Sequence, residues 1–296
     1  MKANSLYQNK SLGFWGYVKF LSDKLGYSDR KNSQLKNYTL TESITILKKY
    51  NIQFSSHELT EIINYLNYRS NVLNNIVQHQ LMDIDEVTTV YNDISSSLNL
   101  KEFKCKLPYN KQKGDKKNLA FFTCIINLIT EQTLNNFNLQ NPLNISFDSD
   151  PQTLTSMLDN DNKIITTLSR RYDGALPSTI SPLAVWEIKE YYYTTTFGSR
   201  IADGIYETSL DGFEINQLDI PFKPKHYYFI DSKNTWWKLG KSYLCRIIDL
   251  LHIGQVSEVF FGKEILTQWP ITLMDLLNEN FIQPKSIISD YTYSQL

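Results

Sequence analysis

At 296 residues, 42% apolar and 21% charged, the chain has the composition of a folded protein, which excludes one dominated by disorder. Its length suits one large domain or a core domain with a smaller companion, and its net charge of −1 argues against a protein that simply coats nucleic acid. The charge is unevenly divided: residues 1–120 carry 17 Lys+Arg against 11 Asp+Glu, net +6, and residues 121–296 carry 13 against 20, net −7. That asymmetry either arises by chance or lets a basic half bring metal-binding carboxylates to a polyanion.

No apolar leader follows Met1-Lys2, and the most apolar run, residues 119–129, is short and broken by Thr123 and Asn127. A cytoplasmic protein without a membrane span is expected. Cys105, Cys124 and Cys245 are odd in number, far apart and without histidines at metal-ligand spacing, so neither a disulfide framework nor a zinc site is expected.

Residues 11–25 place Phe14, Trp15, Val18, Phe20 and Leu21 at helical spacing. Thr39 with Glu42, and Ser55 with Glu58, have the spacing of capping boxes, and apolar residues at helical intervals follow each. Two helices joined by a turn near Asn51 are expected. The pair is either a helix-turn-helix that presents Asn64, Asn67, Tyr68 and Arg69 to DNA, or a plain helical hairpin, the commoner arrangement. Further helices are expected through Val72, Leu73, Ile76, Val77 and Leu81 and over residues 84–98. Residues 1–100 thus read as an all-helical N-terminal domain for recognition or dimerisation. Residues 101–117, with seven lysines, a proline and a glycine, read as a basic linker or exposed loop of net charge +5.

Residues 118–296 read as a second domain. It begins with a helix, residues 118–135, that is apolar almost all round and therefore buried. Near its end Glu131 follows Asn127 by one turn; it is either idle at the surface or an extra ligand reaching into a site. An Asp148/Asp150-Pro151 turn, a short helical segment to residue 158, a strand over 163–172 and a loop punctuated by Gly174 and Pro177 come next. A second strand over 183–193 is expected to pair antiparallel with the first. A helix then opens at Gly198-Ser199-Arg200, with Ser199 as its N-cap, and runs to about Gln217 with Ile201, Ala202, Ile205, Tyr206, Ser209 and Phe213 along one side. Its first turn, with Arg200, suits a phosphate. Strands at 226–230 and 256–261 bracket an apolar helix over Lys241–Ile253, and a closing helix is placed at 272–281 after Pro270. The alternation implies a mixed α/β sheet covered on both faces.

In the strand over 183–193, side-chain alternation puts Glu187 and Lys189 on one face and Trp186, Ile188 and Glu190 on the other, with Asp173 beside Glu187 through the antiparallel pairing. A carboxylate and an ammonium on a buried face must be paired or metal-bound. The phosphate-cradling loop, the dinucleotide-binding turn and the hydrolase nucleophile elbow are all missing, and the four histidines are scattered. Two carboxylates suit Mg²⁺, and a lysine beside them can orient a water and offset charge growing on a phosphate. The residues point to a metal-dependent nuclease.

Asp173 followed by Glu187-x-Lys189 resembles the PD-(D/E)xK nuclease motif of many type II restriction endonucleases. The stretches RRYDG, WEIKEYYYTTTFGSR and TWWKLGKSYLCRIIDLLHIG are similar to restriction-enzyme-like proteins of bacterial modification systems. Tyr172 stands where the motif often has proline. The resemblance implies an α/β fold with a restriction-endonuclease-like mixed-sheet core (αβββαβ), over roughly residues 119–262. It implies that Asp173, Glu187 and the Ile188 carbonyl bind Mg²⁺, that Lys189 assists the attacking water, and that Glu131 is an added acid on the first core helix. The implied activity is sequence-specific hydrolysis of double-stranded DNA. Arg170, Arg171, Thr194, Thr195, Thr196 and Arg200 are the expected contacts to the DNA backbone, as Arg and hydroxyl groups are common phosphate donors. A homodimer is expected from palindromic sites, with a cognate DNA methyltransferase in the same system. A structure-specific or nicking repair nuclease, and a DNA-binding or regulatory protein that does not cut, are the alternatives.

Overall fold

The computed structural model describes residues 1–29, 33–110, 118–194 and 198–282. Helix α1 (Leu12–Leu25) starts at Ser11, whose hydroxyl accepts from the Phe14 amide. A two-stranded ribbon, β1 (Ser28–Asp29) with β2 (Gln34–Leu35), leads to α2 (Leu40–Lys49). There Thr39 and Glu42 form the full capping box that their spacing predicts. Helix α3 (Ser56–Val72) is capped by Ser55 and runs through a π-helical turn (Leu73–Val77) into α4 (Gln78–Gln80). Phe14, Trp15, Val18, Leu21, Leu47, Leu59, Ile62 and Leu66 form the core of this helical region.

Helix α5 (Ile84–Ser97), which the sequence groups with the N-terminal helices, instead packs on α6 (Phe121–Gln140). Helix α6 lies on one face of the central sheet. That sheet has four strands in the order β5 (Gly174–Leu176), β6 (Ala184–Glu190), β7 (Lys225–Asp231) and β8 (Glu258–Phe261). The β5–β6 pair is antiparallel and the other two pairs are parallel. A small antiparallel ribbon, β3 (Ser156–Leu158) with β4 (Ile164–Thr167), stands apart. Helix α7 (Ser199–Gln217) crosses from β6 to β7, α8 (Lys241–Ile253) crosses from β7 to β8, and α9 (Gln268–Leu277) closes the chain order.

Alternation along the strands sorts the core into two layers. Trp186, Ile188, Tyr227, Phe229 and Phe260 pack toward α6 and α9, against Phe122, Ile126 and Trp269. Tyr228, Ile230, Val259 and Phe261 pack on the opposite face with Leu244, Ile247 and Ile248 of α8 and Ile201 and Ile205 of α7. The parallel strands β7 and β8 are buried almost throughout, as strands covered on both faces must be. The protein is a mixed α/β fold, and among the described residues no helix is long and apolar enough to cross a membrane.

The strand expected over 163–172 is shorter, Ile164–Thr167, and pairs with β3; no helix forms ahead of it at residues 151–158. The antiparallel partner of β6 is β5, in the stretch that the sequence reads as a loop. Its first residue, Gly174, looks like a breaker, yet packing requires it: a Cβ there would overlap the Trp186 indole. At α7, Gly198 takes the N-cap position, and Ser199 is the first helical residue rather than the cap. Helix α9 begins at Gln268, ahead of the expected 272, with Pro270 inside its first turn, where a missing N–H breaks no helical bond.

Candidate active site

The register that pairs Gly174 with Trp186 places the preceding residue, Asp173, directly across from Glu187. Two hydrogen bonds fix it there. The Asp173 amide donates to the Trp186 carbonyl at 2.9 Å, and the Ile188 amide donates to Asp173 Oδ2 at 2.8 Å. Glu187 is only 2% exposed, and Lys189 Nζ donates to its Oε2 at 2.6 Å. Burial alone would lower the Lys189 pKa, but the Glu187 and Asp173 carboxylates beside it hold it well above the usual lysine range. The ammonium therefore keeps its proton. At the two ends of β6 the odd-numbered flanking residues Leu183 and Tyr191 spend backbone groups toward β7, whereas Trp186 and Ile188 within it bond toward Asp173. The Ile188 carbonyl thus lies on the same strand edge as the Asp173 carboxylate.

Helix α7 supplies a second charged wall. Arg170 donates from Nη1 to Asp211 Oδ2 at 2.8 Å and pairs through Nη2 with Glu207 Oε2 at 2.9 Å, while its Nη1 lies 3.8 Å from Glu187 Oε1. Lys189 Nζ is 3.8 Å from the same Glu207 carboxylate. Burial pushes the Asp211 carboxyl up to about 7, with Arg170 pulling in the opposite direction. Sequence reasoning missed Glu207 and Asp211. Their signal is the spacing of Asp203, Glu207, Asp211 and Glu214, which lines one side of a helix. The apolar face assigned to α7 needs correcting as well. Tyr206 and Phe213 are exposed, and the buried stripe runs through Ile201, Gly204, Ile205, Thr208, Asp211, Gly212 and Ile215. Small residues let the helix approach closely: a Cβ on Gly212 would strike the Gln255 backbone.

Two clefts meet at Asp173. One, of ≈ 630 Å³, is lined by Asp150, Gln152, Arg170, Arg171 and Tyr172; the other, of ≈ 310 Å³, by Tyr109, Ser149, Ile188, Lys189, Glu190 and Glu207. The candidate site is therefore reachable from solvent on both sides of one carboxylate.

Residues 82–276, which contain the whole central sheet and every residue of this site, match the family model described as Domain of unknown function (DUF7687). The chain belongs to the DUF7687 family. Residues 1–76, from the N-terminus into the π-helical turn after α3, match a second model, Domain of unknown function (DUF7690). No curated protein and no solved structure matches the chain.

Within the DUF7687 region, not every expected residue gathers at Asp173. Glu131 accepts from the Lys104 and Cys105 amides at 2.7 and 2.9 Å, so it anchors the segment ahead of α6 rather than facing the site. Glu190 accepts from the Phe122 and Thr123 amides and the Thr123 hydroxyl, capping α6 on the strand face opposite Glu187. Burial pushes its carboxyl up to about 7. Arg170 is committed to the α7 acids instead of standing ready for a phosphate, whereas Arg171 is exposed in the larger cleft. Thr194 is half-buried and its amide closes a turn onto the Tyr191 carbonyl. Thr195, Thr196 and the Arg200 side chain lie outside the described residues.

Of the two readings of α2 and α3, the placement of the α3 side chains favours the plain helical hairpin over the DNA-reading alternative. Arg69 is fully buried and grips both oxygens of Asp249 on α8, Asn67 bonds both backbone groups of Tyr38, and Tyr68 is half-buried; only Asn64 is exposed. Among the described residues no three His, Cys, Asp or Glu side chains gather as a metal-holding group. The oxygen donors at this point are the Asp173 carboxylate and the Ile188 carbonyl on the strand edge, and the Glu187 carboxylate on the adjoining face of β6.

Proposed function

We propose that this DUF7687 protein is a Mg²⁺-dependent endonuclease of the PD-(D/E)xK type that hydrolyses phosphodiester bonds of double-stranded DNA, acting as a sequence-specific type II restriction enzyme. The observation that carries the reading is Asp173 directly across from Glu187, with Lys189 on the same strand face and two clefts meeting at that point. With the separate β3–β4 ribbon inserted after α6, the order α6, β5, β6, α7, β7, α8, β8 supports it, because the resemblance implies a helix, three strands, a helix and a strand. The first of those three strands has its counterpart in a single antiparallel bridge, Asp148 with Ala175, on the far side of β5.

Asp173, Glu187 and the Ile188 carbonyl form an all-oxygen donor set, which fits a hard cation. Mg²⁺ keeps several waters and is commonly held by one or two carboxylates plus substrate phosphate, so a third protein acid is not required. When bound, the ion polarises the phosphate and lowers the pKa of a coordinated water. The protein's own groups do the remaining work. Lys189, kept protonated by Glu187 and Asp173, donates to the attacking water and offsets charge growing on the phosphate. Arg170 spans Glu187, Glu207 and Asp211, so it fixes the strand carboxylate against α7. The proposed partners are duplex DNA, a second copy of the chain, and a DNA methyltransferase that protects the same sites.

Incubation with plasmid and Mg²⁺, beside Asp173→Ala and Lys189→Ala, tests the reading. Discrete fragments from the wild type alone are the expected result. Nicks or smears indicate a different nuclease, and an inert wild type on varied, unmethylated DNA leaves a binding protein. Mg²⁺ alone should raise the wild-type Tm and leave that of Asp173→Asn unchanged, since a ligand stabilises only the state that binds it.

A further inference from the structure

The smaller cleft has a wall that the hydrolysis reading does not use. Opposite Ile188, Lys189 and Glu190 stand Pro108, Tyr109 and Asn110. Tyr109 is 64% exposed, whereas Tyr191, the other aromatic lining this cleft, is buried. A large ring left in water lacks a packing reason to be there, yet its backbone is firmly held. Tyr109 bridges Leu119, the Asn110 amide donates to the Asn118 carbonyl at 2.6 Å, and the Ala120 amide donates to the Pro108 carbonyl at 2.9 Å. Ala120 leads directly into α6, whose first amides bond Glu190, the neighbour of Lys189. A chain of hydrogen bonds, closed by the Glu190 carboxylate, therefore fixes the Tyr109 backbone relative to the candidate catalytic strand. Exposed Lys104 and Lys106 precede it on the same segment, and cations beside an aromatic suit a phosphate backbone with its bases.

Resting on the nuclease reading, we propose that Tyr109 stacks on the base of the nucleotide next to the phosphate held at Asp173 and Lys189. A paired base offers only its edges to a protein, whereas a ring on a cleft wall needs the face of a base. At ≈ 310 Å³ the cleft lies at the small end of ligand sites, which run from about 300 to 1,000 Å³. That is room for one nucleotide. The bound chemistry is an unstacked nucleotide, which comes either from an unpaired strand or from a duplex that releases one base.

The test is binding in the presence of a chelator, with oligodeoxynucleotides that carry 2-aminopurine beside the cut position. The probes are a single strand, the matched duplex, and the duplex with a mismatch at that position. The wild type should quench the fluorophore. Tyr109→Ala should weaken binding by about 5- to 150-fold, the range for loss of one stacked base, whereas Tyr109→Phe should retain it. An effect confined to the single strand assigns an unpaired strand as substrate. An effect on both duplexes, larger for the mismatch, assigns base release. Binding by Tyr109→Ala equal to wild type, or an equal loss in Tyr109→Phe, overturns the stacking role. If the wild type cuts DNA while Tyr109→Ala binds and cuts unchanged, stacking fails and hydrolysis stands. If binding depends on the ring but the wild type never cuts, the reverse holds.

Discussion

Lys189 Nζ lies 2.6 Å from Glu187 Oε2, two residues apart on one face of β6, with the carboxylate almost wholly buried. Removing one member leaves the other charged in a poor solvent, with Arg170 at 3.8 Å as the remaining partner of Glu187. Lys189→Met and Glu187→Gln should each destabilise the fold by about 3–5 kcal/mol, and the double variant should lose less than the sum. Urea denaturation of the four proteins measures this coupling. Additivity within about 0.5 kcal/mol would show that the two groups act independently.

Arg69 and Asp249 join α3 to α8 across 180 positions of sequence, with Ser22 accepting from the Arg69 guanidinium and Tyr65 donating to Asp249. Asp249→Asn leaves a fully buried guanidinium without its counter-charge. A loss of about 3–5 kcal/mol is expected, compared with about 1 kcal/mol for Ser22→Ala, which removes one hydroxyl acceptor. Thermal unfolding of the two variants side by side checks the ranking.

Gly174 gives way to the Trp186 indole, so Gly174→Ala forces the ring or β5 to move. Overpacking of this kind costs about 1–3 kcal/mol. The displacement falls beside Asp173, so under the proposed nuclease function cleavage should drop with stability. Adding Trp186→Leu to Gly174→Ala should recover part of the Tm, and no recovery would place the strain elsewhere.

Burial pushes the Asp231 carboxyl from 3.8 up to about 8, although Tyr192, Met82 and Ser232 all donate to it. The folded chain then binds this proton more tightly than the unfolded chain. Its stabilising effect is complete below 3.8 and is lost as pH rises to about 8. Asp231→Asn, which stays uncharged, should show a smaller fall of urea midpoint over that window. Identical pH profiles for variant and wild type would contradict the shift.

The Tyr172 hydroxyl is buried with no hydrogen-bond partner among the described residues. Deleting an unsatisfied donor should help, so Tyr172→Phe is expected to gain about 1 kcal/mol. A loss in chemical denaturation would instead mean that a bound water satisfies the hydroxyl.

The sequence carries much of the frame because its signals there are local. Thr39 with Glu42 announces α2, the apolar run over Lys241–Ile253 announces α8, and alternation in β6 separates Glu187 and Lys189 from Glu190. The adjacency of Asp173 and Glu187 is legible from the acid, the turn and the following strand. Other features depend on tertiary partners that no local pattern records. Gly174 reads as a breaker until Trp186 lies across it. The buried stripe of α7 holds two glycines, a threonine and an aspartate, so counting apolar residues selects the wrong side. Arg170, and Arg69 in one of the two readings of its helix, look like DNA contacts because their acidic partners, Glu207, Asp211 and Asp249, are distant in sequence.

Strand β6 assigns its two faces to unrelated tasks. Odd positions carry the charged pair, while Glu190 holds the first turn of α6. A one-residue insertion or deletion inside this strand would exchange the faces of every position beyond it. Chemistry and architecture would then fail at a single stroke. Length variation within β6 should therefore be far less tolerated than point changes along it, and surviving indels should fall outside Ala184–Glu190.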